Sequence, residues 1–78
     1  MYRTMAMGGV TFANMTNANI HVRITADGEQ GSVGFYLIES KKCDNWGRQH
    51  MQVAFIHRED NQKTEVLTVQ PGFCYVIS

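Results

Sequence analysis

The chain predicts a small antiparallel six-stranded β-sandwich, and three observations carry that reading. Apolar residues recur at every second position through most segments, polar turn clusters separate those segments, and no window of a dozen residues holds the 3.6-residue period of a helix. With 78 residues the chain is read as one domain spanning 1–78. A domain near this size buries only about 60% of the surface its unfolded chain exposes, so a disulfide, a metal or an oligomer interface is an expected aid to stability.

The elements follow in order. In "GGVTFANM", Val10 and Phe12 share one face while Thr11 and Ala13 take the other. In "NIHVRIT", Ile20, Val22 and Ile24 alternate with His21, Arg23 and Thr25. The Asn and Thr residues of "NMTNAN" between them suit a turn, so these two strands are expected to pair as a hairpin. "ADGEQGS" reads as a polar loop, and "VGFYLIE" as a third strand with Val33, Phe35 and Leu37 on one face and Tyr36 and Ile38 on the other, apolar on both sides. "SKKCDN" breaks the alternation. The chain re-enters a strand from Trp46, placing Met51, Val53 and Phe55 together; a helix over this stretch is opposed by Gly47 and by the lack of an apolar stripe. "REDNQ" is a turn and "TEVLTVQ" the fifth strand. After "PG", "FCYVIS" sets Phe73, Tyr75 and Ile77 opposite Cys74 and Val76.

Composition narrows the function. Lys plus Arg and Asp plus Glu are seven each, so the chain lacks the basic surface with which proteins neutralise nucleic-acid phosphates, and no nucleic-acid partner is expected. Zero net charge favours self-association. The opening "MYRTMAMGGV" lacks the apolar run of a signal peptide, and the expected location is cytoplasmic, or extracellular by a non-classical route. The sequon "NMT" at Asn14 is then expected to stay unmodified. Cys43 and Cys74 fit either two thiols or one disulfide.

No nucleophile elbow, HExxH motif or glycine-rich phosphate loop occurs, so a non-enzymatic binding protein without a cofactor is expected. A Cys and His thiolate pair is the one catalytic arrangement these residue types leave open. His21 and His57 are isolated imidazoles on strand faces and do not complete a metal site. Two polar patches stand out. The first is "CDNWGR" with its flanks: a Trp ring can stack on a sugar face while Asp44, Asn45 and Arg48 supply paired hydrogen bonds to hydroxyls, with Tyr36 a further contributor. The same Trp46 also reads as a plug in one end of the sandwich, with Arg48 stacked over it. The second patch is "NMTNAN", whose amides and hydroxyls suit a neutral polyhydroxy ligand and equally suit their own turn.

The stretches "VTFANMTNANIHVRI", "DNWGR" and "MQVAFIH" resemble those of short uncharacterised single-domain β-sandwich proteins of mushroom-forming fungi, over most of the chain. The opening N-x-T segment is also distantly similar to that of aegerolysins, fungal β-sandwich proteins that bind membrane lipids, although their Cys and Gly-rich features are not matched. The resemblance implies a β-sandwich and roles in recognition or defence; it carries over no site residue.

Three functions follow as expectations: lectin-like recognition of a glycan or glycolipid by a homo-oligomer through Asp44, Asn45, Trp46, Arg48 and Tyr36; binding to a membrane surface or cytolysis of aegerolysin type; or a structural oligomer without a small ligand. Oligomers suit the first, because repeated shallow sites raise avidity without new contacts.

Overall fold

The computed structural model describes residues 1–28 and 31–78. Part of the expected "ADGEQGS" loop, Glu29 and Gln30, lies outside the described residues. Among the described residues the protein is all-β, with eight strands and no helix. They are β1 (Tyr2–Met5), β2 (Val10–Asn14), β3 (Ile20–Ile24), β4 (Tyr36–Ile38), β5 (Cys43–Trp46), β6 (Gln52–Arg58), β7 (Lys63–Val69) and β8 (Phe73–Ile77). Sheet I has the order β1-β8-β2-β5 and sheet II the order β4-β3-β6-β7.

The sandwich-like arrangement stands, and the count and pairing are corrected. Six strands become eight because β1 and β5 carry no apolar alternation: all four residues of β1, and all of β5 except Trp46, are exposed. Trp46 ends β5 rather than opening the following strand. The sandwich is not wholly antiparallel, since β2 runs parallel to β8, Val10 facing Phe73 and Asn14 facing Ile77. Nor do β2 and β3 form a hairpin. They belong to different sheets, and residues 15–19 carry the chain across.

The crossing has a polar cause. Asn14 is fully buried, and its amide donates to the carbonyls of Ala18 (2.8 Å) and Ile38 (2.9 Å) while its oxygen accepts from Thr16 N (3.0 Å) and Thr16 Oγ1 (2.6 Å). One side chain on sheet I thus holds β4 of sheet II and closes the turn that would otherwise have led into a hairpin. Asn14 and Thr16 are therefore not the exposed patch that composition suggested, because both hydrogens of the Asn14 amide are already committed.

Apolar alternation does place the core. Val10, Phe12, Tyr75 and Ile77 of sheet I meet Ile20, Val22, Ile24, Ala54, Ile56 and Val69 of sheet II. Burying side chains of this size contributes about 1.5–3 kcal/mol each against the entropy of ordering them. Phe12 stacks on Tyr75 (5.5 Å, 27°) and receives the edge of Trp46 (6.0 Å, 88°). On β6 the inward residues are Gln52, Ala54 and Ile56, so the face shared by Val53 and Phe55 points outward. The third expected strand shrinks to Tyr36–Ile38, with Ile38 buried and Leu37 turned to solvent; its second face is uncovered rather than packed.

Cys43 and Cys74 are free thiols. They flank β2 from opposite sides, Cys43 beside Ala13 and Cys74 beside Thr11. Two strand spacings of about 4.8 Å each exceed the Cα separation a disulfide can span. Burial, joined by the neighbouring Cys43, pushes the Cys74 thiol above its ordinary range.

Candidate functional site

The five residues singled out in the sequence, Tyr36, Asp44, Asn45, Trp46 and Arg48, line one pocket of about 280 Å³ together with Gly31, Ser32 and Gly47. Topology brings them there. β5 is one edge of sheet I and β4 one edge of sheet II, so the pocket opens where these two edges meet, bridged by an edge-on contact of Tyr36 with Trp46 (6.3 Å, 76°).

The residues do different jobs. Trp46 is 6% exposed and belongs to the core, as its plug reading required. Arg48 is 3% exposed and does not stack on it. Its guanidinium instead donates to backbone carbonyls: Nε to Thr25 O (2.9 Å), Nη1 to Gly47 O (3.1 Å), and Nη2 to Ile24 O (2.9 Å) and Ser32 O. That fork fastens the end of β3 and the loop beyond it to the segment leaving β5. The five donors of a guanidinium make it suited to gathering carbonyls from several directions.

Two glycines allow this closeness. A Cβ on Gly31 would lie 2.5 Å from Arg48 Nη1, and one on Gly9, whose φ is +63°, would lie 2.5 Å from the carbonyl oxygen of Trp46. Larger residues at either place would push the pocket wall apart.

The rim is where free chemistry remains. Tyr36 is 44% exposed, and its hydroxyl donates to Ser32 Oγ (2.6 Å). Asp44 is exposed; its Oδ1 accepts from Asn45 N (2.9 Å), and its Oδ2 has no partner among the described residues. Asn45 spends its amide hydrogens on Thr11 Oγ1 (2.7 Å) and Gly8 O (3.3 Å), which leaves its oxygen as an acceptor. The ring that can stack is therefore Tyr36, and the group that can accept two hydroxyls is Asp44. Sequence reasoning missed Ser32 and Gly31, since a polar Gly-containing loop reads alike wherever it folds.

A second, shallower depression of about 400 Å³ lies on the outer face of sheet II, lined by His21, Phe35, His57 and Thr64. His21 and His57 face each other across β3 and β6, ring centres 6.1 Å apart. His21 Nε2 pairs with Glu59 (2.6 Å) and His57 Nδ1 with Thr64 Oγ1 (3.0 Å). Cys43 and Cys74 sit on the outer face of the other sheet, so neither forms a dyad with these two histidines. Among the described residues no group of three or more His, Cys, Asp or Glu is arranged to hold a metal ion.

Comparison of the chain with family models, with curated proteins and with solved structures finds no match in any of the three.

Proposed function

We propose that the pocket between β4 and β5 recognises a glycan, and that the protein works as a lectin-like binding module in oligomeric form. One observation carries the reading: an exposed aromatic ring, Tyr36, stands beside a carboxylate, Asp44, one oxygen of which has no partner among the described residues, over a floor held by Trp46 and Arg48. Sugars present apolar C–H faces to a ring and vicinal hydroxyls to a carboxylate, and a neutral protein surface does not oppose them. The pocket is just below the roughly 300 Å³ of the smallest drug-sized sites, which suits one sugar ring rather than a long chain.

A glycan array followed by titration of the best hit tests this, with the emission of Trp46, the single indole, as the signal. Saturable binding with an emission change, lost in Asp44→Ala, is the expected result. A change that survives Asp44→Ala moves the site elsewhere. A second reading, attachment to membrane lipid, draws on the apolar side chains exposed on sheet II, and sedimentation with neutral, anionic and sphingolipid vesicles tests it.

A further inference from the structure

We propose that the outer face of sheet II is a homodimer interface, covered by the same face of a second copy. The inference deepens the oligomeric part of the reading above and rests on that part alone. Strand register defines the surface. Arg23 stands opposite Phe55, which stands opposite Val66, and the next row joins Leu37, His21, His57 and Thr64. Phe35, Leu37 and Val66 are 53%, 52% and 60% exposed, and Val53 is exposed beside them. A water-facing strand normally alternates apolar inside with polar outside. Here β6 is apolar on both faces, which is the pattern of a sheet covered on both sides.

The charge arrangement selects the occupant. Leu37, Val53, Phe55 and Val66 carry no charge, and the two opposite charges that reach this face are both held: the Glu59 carboxylate is paired with His21 Nε2 (2.6 Å), and the Arg23 guanidinium lies over the Phe55 ring (4.8 Å) and donates to Val33 O (3.0 Å). Both signs appear at the rim, with Arg58, Asp60, Lys63 and Glu65 at the β6 to β7 turn. A two-fold interface must be self-complementary, and a near-neutral centre with a mixed-sign rim meets that condition where a surface of one sign would repel itself. An anionic membrane asks for a basic rim instead. The extents suit as well: the two longer dimensions of the molecule are 33 and 23 Å, a face on the order of the ~800 Å² per partner of a standard interface. Because β4 offers Leu37 to this face and Tyr36 to the pocket, dimerisation would fix the two pockets at a set spacing.

Sedimentation velocity of the full chain without glycan is the test. The expected result is a dimer in the range of about 10 µM, weakened at least about tenfold by the pair Val53→Lys and Val66→Lys and unchanged by Tyr2→Lys on β1. Circular dichroism checks folding of the pair, and Leu37→Lys alone serves if the pair unfolds. A wild-type chain that stays monomeric, a dimer that ignores all of these charges, or a monomer that sediments only with vesicles would overturn the proposal. Trp46 titration of the monomeric variant reports the pocket separately, so loss of one reading is distinguishable from loss of the other.

Discussion

Asn14 and Arg48 stand at comparable places and end differently. Each is a buried polar side chain where the chain leaves one sheet for the other, and each fastens the two sheets by donating to backbone carbonyls. Asn14 closes its corner: donors and acceptor alike are used, and neither of the two pockets described above is lined by it. Arg48 reaches farther, and the space beside its longer side chain is the pocket. The difference teaches that a polar cluster between strands serves its own backbone first. Ligand chemistry is left only where the partners are too far apart for the cluster to close.

Substitution can break this comparison at several strengths. Arg48→Met keeps much of the volume and removes all four carbonyl contacts; the expected loss is at least about 3 kcal/mol in urea denaturation, with pocket binding lost too. Asn14→Ala should cost about 2–3 kcal/mol by the same measurement, but in the fraction that remains folded the glycan titration should be unaltered. If both variants abolished binding equally, the two corners would not be independent. Asp44→Ala sharpens the contrast from the other side. Stability should stay within about 0.5 kcal/mol while affinity falls roughly ten- to a hundredfold, the value of a hydrogen bond to a charged group.

The smallest effect belongs to a stitch on the open surface. Arg58 grips both oxygens of Asp60 (3.1 and 2.8 Å), and that hydrogen bonding holds the Asp60 carboxyl below its ordinary value. A carboxyl lowered on folding adds stability above its unfolded value and gives it up as pH falls through the folded one. Asp60→Asn should therefore flatten the acid limb of a stability profile below about pH 4 and change little in shape above it. Asp60 faces solvent, which screens the pair, so a large effect would mean that this turn is covered in the assembled protein.

The inward faces of β2, β3 and β8 were legible because alternation there sets Val, Ile and Phe against Thr, His and Cys. β6 was not, since Val53 and Phe55 on one side compete with Ala54 and Ile56 on the other, and periodicity marks two faces without saying which is inside. β1 and β5 escaped notice for the opposite reason, as edge strands with little to bury. At the candidate site, the five residues singled out by type all line one pocket. Their division of labour was invisible, because whether Arg48 reaches outward or inward depends on carbonyls 16 to 24 residues away in sequence.

The parallel seam between β2 and β8 bears on how the chain acquires its structure. β8 lies between β1 and β2 in sheet I, so a strand from the last residues is wedged between the first two. During synthesis β2 can pair with β5 once Cys43–Trp46 has emerged, but β1 and the other side of β2 must wait for Phe73–Ile77, and closing so long a loop is slow. In that interval the half-built sheet is most exposed to chaperones and to aggregation. A chain ending before Phe73 would lose the strand that joins β1 to the rest, and Val10 and Phe12 would keep an open edge for any passing strand to pair with.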